Sequence, residues 1–451
     1  MKHIVCVLMF LCFAEDWGCA YKSHLGAPLA WVHDVFIEPL PIKVRPLDLV
    51  ILGVFIAASA RKKVLQVPAM RNALLLAVGT TIVAFAWGLA RGGDSRAASW
   101  QVYLILSCIL FAFTVGTVFR TPADYVTLAK WLMAAAVYRA VFCWVSHFTW
   151  GRTSLGEGGA YLTTHDDTIG WVVCILVLIV NTVSKKPSLL VLLRNFVLGV
   201  LILGAIQYNN RRLAWVSLGM ALIVSYFLFP PGRAKRVVNR VLMVASPLLL
   251  LYVVVGWGRG NTIFMPLRSL STISTQEDAS TLARNAENLG LIATGNAFGF
   301  GLGSGWGRPY ICLTHKYDIS NFELWQYVPH NSILGLLAFT GVIGFIGFWT
   351  AIPTAVFLNA RVARLARDPL ARNVALVAAA QIVVCANQLY GDMGLFFFKP
   401  MYVLGISYAI ALRLPRATDL WTPQPVAATP RAAQPSPAPP APGVGGPAWP
   451  S

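Results

Sequence analysis

Apolar stretches of roughly 15 to 25 residues, separated by short polar or basic turns, run along almost the whole chain. About 20 such residues cross a bilayer core as a helix. The stretches at 46–60 (short), 73–90, 100–119, 125–150, 169–183, 189–206, 213–229, 241–257, 333–358, 374–389 and 395–412 are therefore predicted to be transmembrane helices. A further apolar segment, 4–14, follows Met1-Lys2. Its length suits either a first helix or a signal-peptide core with Gly18-Cys19-Ala20 as a weak cleavage site, and we read it as a helix. Either way, 21–45 lies outside the membrane. The expected fold is all-α: a polytopic membrane protein of about 12 transmembrane helices with one long outer loop containing short helices. Its parts are an N-terminal helix or signal-like segment with an outer loop (1–45), the second to ninth spans (46–257), the long loop (258–329), the last three spans (330–413) and a tail (414–451). Pro437–Pro442 and the Gly-Gly-Pro after it leave that tail poor in order-forming residues, so it is expected to be a disordered cytoplasmic extension.

Composition agrees with lipid rather than water as the solvent. The chain is 57% hydrophobic and 12% charged, more apolar surface than one or two soluble domains can bury. Orientation follows from the basic residues, because short basic loops stay cytoplasmic. Arg61-Lys62-Lys63 with Arg71, Lys185-Lys186, the group Arg233, Lys235, Arg236 and Arg240, and the group Arg361, Arg364, Arg367 and Arg372 occupy alternate connections. They also account for most of the net charge of +18, which we assign to membrane orientation and anionic-lipid contact; no basic-aromatic cluster points to a nucleic-acid partner. Arg91 and Arg96 run against the rule on the outer side, only partly offset by Asp94.

Three outer positions carry polar chemistry. The first is Tyr208-Asn209-Asn210-Arg211-Arg212-Leu213-Ala214-Trp215, at the mouth of a span. One arginine there reaches headgroups by snorkelling; an adjacent pair backed by two Asn donors suits an anion cradle, since guanidinium forks match phosphate oxygens bidentately. The second is Thr281-Leu282-Ala283-Arg284-Asn285-Ala286-Glu287-Asn288, expected to be helical, with Ser280 or Thr281 as its cap and Arg284 one turn from Glu287 or Asn288. Arg284 is then either an anion ligand or a loop salt bridge to Glu287. The glycine-rich run Phe298-Gly299-Phe300-Gly301-Leu302-Gly303-Ser304-Gly305-Trp306-Gly307 follows. It lacks the strand and the Lys-Ser/Thr of a nucleotide loop and is read as tight backbone lying close to the membrane surface or to a ligand. The third is Val328-Pro329-His330-Asn331-Ser332, where the long loop enters a span that continues to Gly341 and Gly344, two glycines suited to close helix packing. His330 is either a wet helix cap or, with Asn331 as an orienting partner, a general base.

Other polar residues are weaker candidates. Lys130, Arg139 and Arg194 lie in or near spans, where each is expected to pair or to face a cavity. His165-Asp166-Asp167 is expected to cap a helix, with metal binding as the alternative, and Asp392 is placed to line the same outer cavity. Cys6, Cys12, Cys108, Cys143, Cys174 and Cys385 fall inside spans without metal-ligand spacing and are read as buried thiols; Cys19 and Cys312 fall outside.

Taken in order, Asn210-Arg211-Arg212-Leu213-Ala214-Trp215, Arg284 ahead of the glycine run, and Pro329-His330-Asn331-Ser332 with Gly341 and Gly344 resemble the O-antigen ligase family. This family comprises lipopolysaccharide O-antigen ligases and related O-antigen and exopolysaccharide polymerases. The resemblance covers chiefly 189–344. It implies that Arg212 or Arg211, Arg284 and His330 are the catalytic residues; Asn209, Asn210 and Asn331 beside them are read from their position as substrate-binding, and the Ser that commonly precedes the first arginine is Asn210 here. It implies an enzyme that needs no metal and no cofactor. The reaction would be glycosyl transfer from an undecaprenyl-pyrophosphate-linked glycan to the hydroxyl of a lipid A-core or glycan acceptor, for lipopolysaccharide or exopolysaccharide assembly. The setting would be a bacterial inner (cytoplasmic) membrane, with membrane lipids as further partners and the active site facing the periplasm. A lipid-linked oligosaccharide flippase or other multi-pass transporter is the alternative, although no repeat relates the two halves and the polar signals cluster in outer loops.

Overall fold

The structure is a computed structural model that describes residues 1–16, 28–37, 44–61, 65–150, 163, 165–184, 187–209, 211–257, 259, 264, 267, 279–313 and 324–421. Most of these residues are helical, and none is in a strand. Besides the short helical stretch from Ala30 to Ile37, the helices in chain order are α1 (Lys2–Ala14), α2 (Pro46–Arg61), α3 (Pro68–Ala90), α4 (Ser95–Val118), α5 (Pro122–Trp150), α6 (His165–Ser184), α7 (Leu189–Asn209), α8 (Arg212–Leu228), α9 (Arg233–Gly256), α10 (Ala279–Phe298), α11 (Ser332–Trp349), α12 (Ala351–Leu365), α13 (Pro369–Gly391) and α14 (Phe398–Ala417). Among the described residues, 8 helical runs are long and apolar enough to cross a bilayer, with α11 and α12 together forming the run Ser332–Leu365; α1 and α8 are apolar but shorter.

Local chemistry sets the helix starts. Asp94 accepts from the backbone N–H of Ala97 (2.7 Å) and starts α4; Asp368 accepts from Leu370 and Ala371, with Pro369 at the first turn of α13. The core sits around α14, in which every residue from Phe398 to Leu412 is buried, and which packs on α4, α12 and α13. Small residues bring α4 and α14 close: a Cβ on Gly405 would lie 3.0 Å from the Cys108 carbonyl oxygen. The outside is as apolar as the inside. In α9 only Gly256 is buried, while Leu248, Leu249, Leu250 and Leu251 are all exposed, and α7 exposes Leu189, Leu190, Leu193, Phe196 and Val197. A surface of that extent is stable only against lipid tails. The protein is therefore a multi-pass membrane protein.

The bundle has two chemically distinct ends. At one, Lys2 pairs with Asp124 (2.6 Å), Arg413 donates to the Leu65 carbonyl (2.8 Å) and Arg364 to that of Phe227 (2.9 Å), so the basic loops gather with the N-terminus. At the other lie the three polar positions singled out in the sequence. The predicted tail boundary shifts: α14 runs through Pro415 to Ala417, because Leu414 and Pro415 are buried, and Leu420 and Trp421 bond back to the Pro415 carbonyl. The disorder expected for the rest of the tail concerns 422–451, outside the described residues. Cys6, Cys12, Cys108, Cys143, Cys174 and Cys385 are buried thiols, as expected; Cys19 lies outside the described residues.

The first residues of the glycine run, Gly299, Phe300 and Gly301, are exposed, whereas Gly303–Gly307 are buried. The run threads between α3, α4 and a break in α11, where Gly341 takes φ 63° and interrupts the helix. Ser304 and Gly305 donate to the carbonyls of Ala338 and Phe339 (3.0 and 2.8 Å), and Val342 donates to that of Phe300 (2.6 Å). The loop thus supplies the hydrogen bonds that the broken helix has lost, which lipid cannot do. Gly341 is a break point rather than the helix-packing glycine that the sequence led us to expect. A Cβ on Gly305, at φ 87°, would sit 2.2 Å from the Gly88 Cα. We expect Gly305→Ala to abolish the monodisperse peak in detergent gel filtration, and Gly53→Ala, with nothing within 4 Å of its Cβ position, to keep it.

Candidate functional site

Helix α10 carries Arg284 and Glu287 one turn apart, yet the two do not pair with each other. Glu287 is buried and turns to the loop end: one carboxylate oxygen accepts from the main-chain N–H of His330, and the other lies 2.8 Å from His330 Nδ1. Arg284 stays about one-third exposed and points its Nη2 at Asp392 Oδ1, 3.9 Å away. The salt-bridge alternative for Arg284 and Glu287 is therefore replaced by two separate pairings. Since α10 begins at Ala279, Ser280 and Thr281 lie in its first turn rather than before it.

The hub of the site is the turn after α13. Met393, at φ 53°, donates its N–H to the His330 carbonyl (2.8 Å), and Leu395 donates to Ser332 Oγ (3.4 Å). Gln388 holds Asp392 from below (3.4 Å). Gly391 receives the side chain of Leu213, since a Cβ there would meet Leu213 Cδ1 at 2.9 Å, and Asn387 bonds Ser217 (2.7 Å). The start of α8, with Arg211 as its N-cap residue and Arg212 as its first residue, is thereby seated beside the same turn. Both arginines are partly buried. Residues far apart in sequence, Arg211 and Arg212, Arg284, His330 and Asp392, thus meet at one end of the bundle.

Two of the asparagines have structural partners. Asn331 Oδ1 accepts from the Leu334 N–H (3.1 Å) as the N-cap of α11, so the residue that orients His330 is Glu287 and not Asn331. Asn209 is buried and accepts from Thr163 Oγ1 (2.6 Å), tying α7 to the residues before α6. Asn210 lies outside the described residues. Sequence reading missed the role of Glu287, whose one available signal was its i+3 spacing from Arg284. It also missed Tyr310, buried beside α10 with its hydroxyl lacking a hydrogen-bond partner among the described residues. Burial and the neighbouring Glu287 charge push the Tyr310 hydroxyl well above the usual phenol range, so it stays protonated and donor-capable.

A second polar cluster lies at the same end but is sealed from solvent. Arg139 forks Asp167 (3.1 and 2.8 Å) and also holds Asp16, while Lys399 reaches Asp167 (3.1 Å) and Glu15 (3.9 Å). All five side chains are at most 3% exposed, too enclosed to receive a substrate. The cluster joins the end of α1 to α5, α6 and α14. Arg139 pairs as expected, and Asp167, in the first turn of α6, is its ion-pair partner. Among the described residues no cluster of His, Cys, Asp and Glu could hold a metal. Arg194 bonds the adjacent Asn195 (3.0 Å), and Lys130 is exposed.

The chain matches no known protein family, and no curated protein matches it. The site is therefore read from its own residues. It gathers three arginines at one end of the bundle and one imidazole held by a carboxylate, residue types suited to phosphate binding and proton transfer.

Proposed function

We propose that the chain is a membrane glycosyltransferase of the O-antigen ligase type. It would transfer a polysaccharide from an undecaprenyl-pyrophosphate carrier to an acceptor hydroxyl at the periplasmic face of an inner membrane crossed about twelve times. The observation that carries the reading is the turn after α13, which meets the Arg211–Arg212 helix start, Arg284 and the His330 backbone within four residues, Gly391–Gly394. The gathered residues are those the family resemblance assigns to the reaction, and they lie at the end opposite the basic loops.

In this reaction the acceptor oxygen attacks the anomeric carbon as the bond from that carbon to the pyrophosphate oxygen breaks. The electron pair leaves with the undecaprenyl pyrophosphate, and the acceptor proton passes to His330. Arg211 or Arg212 and Arg284 grip the pyrophosphate and stabilise the charge that grows on it. One displacement, which inverts the anomeric centre, needs no enzyme nucleophile, and the two carboxylates of the site, Glu287 and Asp392, are turned to His330 and Arg284. The transporter alternative has one feature to draw on, the buried Arg139 cluster. Apart from Arg139, which lies inside α5, its residues sit at helix ends, Glu15 and Asp16 after α1 and Asp167 and Lys399 at the starts of α6 and α14, whereas transport sites lie near the midplane.

Arg284→Lys is expected to lower transfer by about ten- to a hundredfold, because an ammonium keeps the charge but loses the fork. Arg211→Lys and Arg212→Lys measured separately identify which of the adjacent pair grips the pyrophosphate. Wild-type rates in all three variants, with purified protein and lipid-linked glycan, contradict the cradle. Products in a deletion strain separate the two acceptors: long chains stranded on the carrier identify a ligase, single repeat units a polymerase.

A further inference from the structure

We propose that Glu287 is the positioning residue for His330, its single buried carboxylate holding the imidazole in the tautomer that leaves Nε2 free to accept the acceptor's proton. The inference rests on the reading of His330 as the base. Four observations lead to it. Glu287 is only 3% exposed while the His330 side chain is 29% exposed, so one partner is a fixed support and the other faces the open side of the site. Both carboxylate oxygens are committed to His330, one to its main-chain N–H and one to Nδ1. The carbonyl of His330, in the next peptide unit, accepts from Met393 N–H (2.8 Å), so the backbone on both sides of the Cα that carries the ring is held, from two elements. No described group hydrogen-bonds Nε2.

Hydrogen-bond valence then decides the tautomer. A main-chain N–H is always a donor, and an ionised carboxylate only accepts. With one oxygen on the main chain, the other accepts from Nδ1–H, and Nε2 is left as a bare lone pair. The groups facing this pair are Arg284 and Asp392, which point to one another, and Tyr310, whose protonated hydroxyl brings no charge. When the acceptor oxygen bonds to the anomeric carbon, its proton moves to Nε2. The imidazolium so formed lies against the Glu287 carboxylate, and the electron pair of the broken bond leaves on the pyrophosphate.

The decisive variant is Glu287→Gln, because an amide has one acceptor oxygen for two donors. Its oxygen satisfies the invariant main-chain N–H, its NH2 then faces Nδ1, and the proton is forced onto Nε2. Transfer is expected to fall in kcat by roughly 10²–10⁴-fold, with KM for the lipid-linked donor within about twofold. Glu287→Asp keeps two acceptor oxygens and is expected to recover at least about tenfold over Glu287→Gln.

A structural role alone would not move the tautomer, so the second readout is spectroscopic. In full-length protein carrying ¹⁵N-histidine in nanodiscs, with the His330 signals identified by their loss in His330→Gln, wild type is expected to show a protonated Nδ1 and a bare Nε2. Glu287→Gln is expected to show the reverse. An unchanged tautomer, or an unchanged kcat in Glu287→Gln, overturns the inference. A tautomer that switches in a wild-type background that transfers no glycan instead removes the glycosyltransferase reading and leaves the Glu287 grip standing.

Discussion

His330→Ala is expected to lower glycan transfer by roughly 10²–10⁴-fold, the range that one general base contributes. In cells this appears as lost surface polysaccharide and accumulated undecaprenyl-linked precursor at normal membrane levels of the protein. The fold should tolerate the change, since the bonds that seat this peptide are main-chain bonds to Glu287 and Met393, which alanine keeps. What alanine does remove is the donor to the second oxygen of a buried carboxylate, a loss of about 1–3 kcal/mol. His330→Gln restores an amide donor to Glu287 without restoring a base. Equal inactivity in the two variants, at equal protein levels, assigns the loss to chemistry. Activity in His330→Gln would mean that the imidazole serves only to satisfy Glu287.

Arg139→Met is expected to destabilise the protein more than any substitution at the outer site. The guanidinium is 1% exposed and serves Asp16 and Asp167 together, so its removal leaves carboxylates buried without their main counter-charge. Breaking such a pair from one side costs about 3–5 kcal/mol. Lys399 still reaches Asp167, but among the described residues no second cation hydrogen-bonds Asp16. Thermal unfolding in detergent, followed by loss of the monodisperse fraction, should therefore move sharply downward for Arg139→Met and less for Arg139→Lys. An Arg139→Met protein as stable as wild type would mean that the four helices are held by apolar packing alone.

Much of the architecture was legible in the sequence because lipid imposes a simple rule: a span must be long, apolar and helical. Each predicted stretch overlaps a helix, although 333–358 covers two, and 8 helical runs among the described residues are long and apolar enough to span; the basic loops gather at one end. Alternation of charge also placed the Arg211–Arg212 pair, Arg284 and His330 on a common face before any contact was known. Pairing was harder to read. Arg284 and Glu287 sit at a spacing that favours a helix salt bridge, yet each finds its partner on another element, Asp392 and His330, more than 40 residues away in the chain. Asn331 is adjacent to His330 in sequence, but its side chain points back along α11 to cap it. The glycine run gave no hint that it completes a broken helix, because Gly341 reads equally well as a packing residue and as a break. Asp16, Asp167 and Lys399 each look ordinary alone and become one cluster only when four helices converge.

The most direct test of the account is reconstitution of the purified full-length protein in liposomes with an undecaprenyl-pyrophosphate-linked glycan and a candidate acceptor, in the absence of nucleotide. Glycosylated acceptor and free undecaprenyl pyrophosphate should form in equal amounts, with inverted anomeric configuration, and both should vanish in His330→Ala. Movement of intact lipid-linked glycan across the bilayer, with no pyrophosphate released and no dependence on His330, would contradict the account and make the chain a transporter.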